Sequence, residues 1–250
     1  MEIKNKTVVV TGASSGIGRA IAVAFAKKGG NIVIAYRGNK DGAIETQSMV
    51  NQFGVKSMII SGDLADKKTV EIIFKKIIIK FKTVDVLVNN AGEALIGEFL
   101  KTNLDHWETN IKSNLYTAVF CSQEAIKIML KQGGTGKIIN AASINGIEHM
   151  GRPDTEAYSA AKAGVINLTK TTAKAYAPKI LINAVAPGKT KTRHYDKFSK
   201  EYLDNLTKTI PIQRFLTAEE IADVYLFVAE NDSMCGEVIV ADGGLSLKKY

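Results

Sequence analysis

From residue 7 to residue 241 the chain alternates short, apolar, β-prone runs with longer stretches of helical periodicity. No other feature of the sequence constrains the fold so tightly. Strand-like runs occupy 7–11, 32–36, 56–61, 84–89, 137–142, 180–186 and 237–241. Helical stretches occupy 16–29, 41–53, 66–80, 104–131 and 156–177, and Thr217 with Glu220 opens a last helix as a capping-box pair. The strand runs are almost continuously apolar, as in Val8-Val9-Val10 and Ile32-Val33-Ile34. A strand with one wet face would alternate apolar and polar residues, whereas one that is apolar throughout is buried on both faces. Parallel strands joined by crossover helices meet that requirement. No Pro/Gly/Ser-rich linker and no internal repeat divides the chain, so residues 1–250 are expected to form one doubly wound α/β domain. Its sheet should hold seven parallel strands with helices on both faces. In such a sheet ligands bind beyond the carboxyl ends of the strands, and the residues that follow each strand are the ones to inspect.

Composition narrows the classes of function. Of 250 residues, 46% are hydrophobic and 23% charged, ordinary for a globular protein with a sizeable core. The chain enters its first strand with no signal-peptide pattern. Its most apolar helical stretch, 70–81, is broken by Lys75, Lys76 and Lys80. A cytoplasmic protein with no membrane span is the expectation. The formal charge is +8, but the lysines are dispersed, without a dense block or interleaved aromatics, and no nucleic-acid partner is expected. A phosphate-bearing cofactor or an acidic carrier protein fits the surplus; Lys127, Lys131 and Lys179 read best as solvated helix ends. Cys121 and Cys235 match no zinc or disulfide spacing and read as reduced thiols. His106, His149 and His194 share no metal-ligand spacing, so no metal is expected.

The first strand ends in Thr11-Gly12-Ala13-Ser14-Ser15-Gly16-Ile17-Gly18. Glycines between a strand and a helix let the backbone turn tightly and approach a pyrophosphate. The helix beyond presents free N–H groups and a partial positive charge. This turn has that context and points to a dinucleotide. The second strand ends at Tyr36-Arg37-Gly38, with no carboxylate before Asp41 to bond a ribose 2′-hydroxyl. Arg37 stands where a 2′-phosphate needs a cation, with Ser15 as a second donor, and NADP(H) is favoured over NAD(H). Later, Tyr158 and Lys162 stand four apart in an Ala-rich helical run, so they share a face. A cation beside a phenol favours the phenolate, and Lys162 is expected to pull Tyr158 toward neutrality as a proton donor or acceptor. Ser143, at the end of the fifth strand, offers a hydroxyl to a developing oxyanion.

The spacing Thr11-Gly12-x-x-x-Gly16-x-Gly18, followed in order by Asn89-Asn90-Ala91-Gly92, Asn114, Ser143, Tyr158-x-x-x-Lys162 and Pro187-Gly188, resembles the short-chain dehydrogenase/reductase family over essentially the whole chain. The resemblance implies a Rossmann domain and hydride transfer between a nicotinamide and a carbonyl or secondary alcohol. Tyr158 would be the proton donor, Ser143 the stabiliser of the carbonyl oxygen and Lys162 the holder of the nicotinamide ribose. Asn114, by its backbone carbonyl, would hold a water that refills the proton. It also implies that Gly12, Ser14, Ser15, Gly16, Ile17, Gly18, Arg37, Asp63, Leu64, Asn90, Ala91, Gly92, Pro187, Gly188 and Thr190 line the cofactor site with Tyr158 and Lys162. Asp63 would reach the adenine amino group; taken by itself it also reads as a helix cap. An Asn at 89–90 would brace the sheet, and a homotetramer would form through the helices at 104–131 and 156–177.

Within the family the pattern is similar to 3-oxoacyl-acyl-carrier-protein reductases, acting on a small-molecule or carrier-linked carbonyl. Sugar or polyol dehydrogenases are the alternative, and a cofactor-binding regulator or scaffold the non-enzymatic one. The substrate side departs from the pattern. Fourteen residues separate Ser143 from Tyr158, and Lys189 follows Pro187-Gly188 where an apolar residue is usual. His149 and His194 fall in segments that border the substrate. The turn 231–236 looks short. Residues 193–209 should form a substrate lid, with Tyr195, Phe198, Tyr202 and Leu206 at helical spacing.

Overall fold

The computed structural model describes residues 1–192, 195–196 and 198–247. Of the expected lid and substrate border, Arg193, His194 and Lys197 lie outside the described residues.

Seven parallel strands form one sheet: β1 (Thr7–Thr11), β2 (Asn31–Tyr36), β3 (Ser57–Ser61), β4 (Val86–Asn89), β5 (Gly136–Ala141), β6 (Ile180–Pro187) and β7 (Val238–Ala241). Their order across the sheet is β3-β2-β1-β4-β5-β6-β7. The order reverses between β1 and β4, so their carboxyl ends diverge into a crevice. Each strand supplies both faces through its period of two. Val8 and Val10 pack on one side, with Ile32, Ile34, Val86 and Val88, under α1 (Gly16–Lys27) and α8 (Ala218–Glu230). Val9, Val33, Leu87 and Ile138 pack on the other, under α3 (Lys67–Phe81) and α5 (Thr117–Lys131). This two-sided burial is why the strand runs are apolar without alternation. Phe25 from α1 and Phe74 from α3 fill the two layers, each worth about 2–3 kcal/mol on burial.

Several buried polar groups of the sheet pair with one another, although Asn89 Oδ1 has no partner among the described residues. Asp85 precedes β4 and accepts from the Thr7 N–H at 2.8 Å and the Thr83 hydroxyl at 3.0 Å. Asn89 Nδ2 donates to Asn140 Oδ1 at 2.8 Å, and Asn140 Nδ2 donates to Thr169 Oγ1 at 2.9 Å. This buried chain ties β4 to β5 and to α6 (Glu156–Tyr176). The amide of Asn183 in β6 donates to Met234 O at 2.9 Å and accepts from the Glu237 N–H at 3.0 Å, which seats the short 231–236 turn against the sheet.

Two helical expectations change. The stretch 104–131 is not one regular helix. It runs as α4 (Leu104–Ile111), a π turn at Lys112–Tyr116, and then α5. A single extra residue per turn leaves the apolar pattern nearly intact, so periodicity does not reveal it; such turns occur frequently at functional sites. In the lid region, among the described residues, the α-helical part is α7 (Lys200–Lys208). Tyr195 and Phe198 precede it and stack in a cluster, with Tyr195 4.7 Å from Phe215 and Phe198 4.9 Å from Tyr202. Self-association of these rings takes the place of one continuous helix face.

Candidate active site

The N-terminal part of α6 carries Tyr158 and Lys162 toward the carboxyl ends of β5 and β6. Lys162 is 4% exposed, and its Nζ donates to Ala141 O at the end of β5, 2.7 Å away. Its Nζ lies 5.7 Å from the centre of the Tyr158 ring. Gly146, in the 3-10 turn at Ile144–Gly146, allows this close approach, because a Cβ there would lie 2.6 Å from the Lys162 carbonyl carbon. Ser143 stands between β5 and that turn; its hydroxyl accepts from the Asn145 N–H at 3.2 Å and is hydrogen-bonded to the Tyr158 phenol.

The electrostatics reverse the sequence expectation. Burial pushes the Tyr158 phenol above its ordinary value, opposed by the Ser143 hydrogen bond and the charge of Arg152. Burial also pushes Lys162 down to about 8. Lys162 therefore does not draw Tyr158 toward neutrality in this structure. Lys162 is buried and Tyr158 partly so, and desolvation disfavours the charged form of each.

Asn114 lies in the π turn, buried, at the back of the site. Its Nδ2 donates to Glu93 O at 2.7 Å and to Asn110 O at 2.9 Å, while its Oδ1 is buried without a partner among the described residues. A Cβ on Gly92 would come within 2.4 Å of that oxygen and 3.5 Å of Lys162 Nζ, so only glycine fits between the π turn and the lysine.

A cleft of about 580 Å³ joins these groups to the first strand end. Its walls include Gly12, Ser15, Gly16, Ile17 and Gly18 on one side, Asn90, Gly92 and Asn114 in the middle, and Ser143, Tyr158, Lys162, Pro187, Gly188 and Thr190 on the other. A Cβ on Gly18 would lie 2.4 Å from Gly12 O, so the turn closes only with glycine. Ser15 is the N-cap of α1, yet its side chain makes no cap hydrogen bond, and no acidic residue occupies the first turn. The N–H groups there remain available to an anion. The Asn90 amide is spent on bracing, donating to Thr11 O at 2.9 Å.

A second cavity of about 160 Å³ continues the crevice past Ser14, Tyr36, Arg37, Asp63, Leu64 and Ala91. Ser14, not Ser15, shares this cavity with Arg37. Arg37 is bonded to Glu93 at 3.2 Å and lies 4.0 Å from Asp63, all three side chains about half exposed. Asp63 also accepts from the Ala65 N–H at 2.9 Å as a turn former, and the cap of α3 is instead Asp66. These two cavities form a cradle suited to a dinucleotide: glycine-lined where backbone must approach, with free N–H groups at one helix end and a cation at the far end. Among the described residues no three His, Cys, Asp or Glu side chains converge on a metal position.

Two participants escape sequence reading. Asn110, beside Asn114, pairs both ways with the Leu95 backbone and fixes the 93–95 loop against α4. Glu93 contributes its backbone to Asn114 and its carboxylate to Arg37. Their only sequence signal is position: Asn110 one turn before Asn114, and Glu93 directly after Gly92.

Over residues 12–246 the sequence matches the family described as Enoyl-(Acyl carrier protein) reductase. It is 37% identical over 244 residues to a 3-oxoacyl-(acyl-carrier-protein) reductase of Staphylococcus epidermidis, a match covering 96% of this chain and 99% of that one. A reductase of the same description from Aquifex aeolicus is 35% identical over 250 residues, covering 98% and 100% of the two chains. Among solved structures, acetoin dehydrogenase from Enterobacter cloacae superposes with a TM-score of 0.89 at 31% identity, over 98% of this chain and 97% of that one. A short-chain type dehydrogenase/reductase from Mycobacterium marinum superposes with a TM-score of 0.92 at 28% identity, over 99% and 98%.

Proposed function

The chain belongs to the short-chain dehydrogenase/reductase family, and on that premise we propose that it reduces a carbonyl of the 3-oxoacyl thioester class with NADP(H), using Tyr158 as proton donor. The observation that carries this reading is the convergence of Ser143, Tyr158, Lys162 and Asn114 at one end of the glycine-lined cleft. Proteins described as 3-oxoacyl-(acyl-carrier-protein) reductases that match nearly the whole chain support the substrate class.

A nicotinamide nucleotide, when bound, supplies or accepts the hydride. The chain's own residues then divide the remaining work. Gly12, Ser15, Gly16, Ile17 and Gly18 would hold the pyrophosphate by backbone N–H groups, and Ser14, Tyr36, Asp63, Leu64 and Ala91 would enclose the adenosine. Asn90, Gly92, Pro187, Gly188 and Thr190 would line the nicotinamide half. Tyr158 gives its proton to the carbonyl oxygen while Ser143 donates a hydrogen bond to the same oxygen as it gains charge. Lys162, pushed down to about 8, is able both to carry and to release a proton near neutrality. Asn114 fixes the wall behind it.

Arg37 supports NADP(H) over NAD(H). Its exposed pair with Glu93 is worth roughly 0–1 kcal/mol, which a doubly charged phosphate can displace. A homotetramer completes the proposal: Leu104 and Tyr116, with Leu100 beside them, expose apolar surface near the helices expected to pack across an interface, and light scattering would test it.

The test is Tyr158→Phe assayed with an acetoacetyl thioester and NADPH. Turnover should fall by about 10²–10⁴, while nucleotide binding, followed by NADPH fluorescence, stays near wild type. Normal turnover by the variant would overturn the mechanism. Arg37→Ala should lower the preference for NADPH over NADH by about tenfold; an unchanged ratio would remove the phosphate reading.

A further inference from the structure

A third cavity, of about 380 Å³, shares Ser143, Tyr158, Pro187 and Gly188 with the cofactor cleft and opens on the other side of them. Its apolar wall includes Ile96, Met150 and Leu245. Two cations also line it, Arg152 from the loop that leads into α6 and Lys189 from the turn after β6. Among the described residues no aspartate or glutamate lines it.

The other described arginines, Arg19, Arg37 and Arg214, each have a glutamate partner. Among the described residues neither Arg152 nor Lys189 forms an ion pair. Lys189 is half-buried, and among the described residues its Nζ donates only to Thr209 Oγ1, at 3.1 Å. Burial and the charge of Arg152 both push its ammonium below the ordinary lysine value. The same Arg152 charge acts on Tyr158 and Tyr195. Arg152, exposed, and Lys189, half-buried, thus border one cavity with like charges, within electrostatic reach of the proton donor. A bound anion would relieve that arrangement, and a guanidinium is suited to grip carboxylate or phosphate oxygens in pairs.

The cofactor phosphates are not the anion concerned. Neighbouring residues divide between the two spaces: Thr190 lines the cofactor cleft and Lys189 lines only the third cavity. We propose that this cavity selects carbonyl substrates that bear an oxyacid group, carboxylate or phosphate, which Arg152 and Lys189 hold while the carbonyl lies at Ser143 and Tyr158. The inference deepens the carbonyl-reduction reading and rests on it for the position of the carbonyl. A purely structural Lys189 would only tether the end of α7 through Thr209, and the test must separate that role.

Substrates matched except for charge provide the separation. One arm compares 5-oxohexanoate with its methyl ester; a second compares acetoacetyl-phosphopantetheine with acetoacetyl-pantetheine, which moves the anion to a phosphate. Binding is measured by calorimetry to Tyr158→Phe protein saturated with NADP⁺, with and without Lys189→Met or Arg152→Met, and turnover is measured in the wild-type background. The charged member of one arm should bind at least tenfold more tightly, and that arm identifies the source of the anion. Each cation replacement should weaken the charged member at least tenfold more than the neutral one. Equal binding of charged and neutral members in both arms would overturn the proposal. Equal losses on Lys189→Met and Arg152→Met for both members would do so as well, and would leave Lys189 as a tether. Charge-selective binding without turnover of any ketone would uphold the anion site while refuting the reductase reading, so the two fail separately.

Discussion

Replacing Lys162 with methionine should stabilise the fold while removing activity. Lys162 is 4% exposed, and burial alone pushes its ammonium from 10.5 down to about 8. At about 1.36 kcal/mol for each tenfold change in a proton equilibrium, holding the charge in the fold costs about 3 kcal/mol below that range. Methionine keeps most of the apolar stem and carries no charge. It forfeits the hydrogen bond to Ala141 O, worth about 1 kcal/mol. A net gain of about 2 kcal/mol near neutral pH remains. The sign with pH follows from proton linkage. Between about 8 and 10.5 the unfolded chain holds a proton that the folded chain has lost, so wild-type stability rises with pH across that window. The advantage of methionine should fade over the same window and vanish above it. Thermal unfolding without added nucleotide, at one protein concentration, reads this directly: Tm should rise by about 4–8 °C near neutrality and by less than half as much near the upper end of the window. A variant less stable than wild type at neutral pH, or a gain that does not depend on pH, would refute desolvation as the controlling effect.

Other consequences follow from the same geometry. Because burial holds Tyr158 protonated through the neutral range, carbonyl reduction should be nearly flat with pH there while oxidation of the corresponding alcohol climbs; initial rates in both directions test this, and an oxidation rate that falls with pH contradicts it. Glu93→Gln frees Arg37 from its carboxylate and keeps the backbone bond to Asn114, so the affinity for NADP⁺ relative to NAD⁺ should rise by roughly two- to fivefold, about 0.5–1 kcal/mol. Titration of both nucleotides measures it, and an unchanged ratio would mean that Arg37 is equally available with or without Glu93. Asn140→Ala removes the acceptor of Asn89 and the donor to Thr169 inside the sheet, at a cost of about 2–3 kcal/mol in urea unfolding; a loss below about 0.5 kcal/mol would show that the buried chain contributes little.

The fold was legible because its determinants are local and repeated. Val8-Val9-Val10 declares burial on both faces, and Gly12, Gly16 and Gly18 declare a backbone turn in which a side chain has no room. Outside the 104–131 stretch and the lid, strand and helix limits read from the sequence fall within two residues of those observed. What was not legible depends on residues remote in sequence. The π turn at Lys112–Tyr116 adds one residue to a helix without disturbing its apolar stripe, and only the poor helix former Asn114 marks it. The pairing of Arg37 with Glu93 joins residues 56 positions apart, so an arginine at a strand end reads as a free cation until the crevice is built. Lys189 was visible as a departure from an apolar position. Its meaning needed Arg152, which reaches the same cavity from a loop before another helix.

The Tyr158–Lys162 pair shows why spacing alone cannot set the sign of an electrostatic effect. Four residues on a helix guarantee a shared face, and on a wet face a lysine would indeed favour the phenolate. Here the shared face is largely withdrawn from water, with Lys162 buried and Tyr158 partly buried. The lysine is turned onto Ala141 O, and the influences that oppose burial of the phenol come from Ser143 and Arg152, which no helical pattern connects to Tyr158. A lysine pushed down to about 8 stays mostly charged at neutral pH but releases its proton just above it. It is correspondingly well suited to pass a proton onward. The unpartnered Oδ1 of Asn114 lies near it, across the space that Gly92 leaves open. The pair is therefore better described as a donor with its reserve than as a phenol with a clamp. That description also accounts for Gly92, because a side chain at that position would separate the reserve from the polar wall behind it.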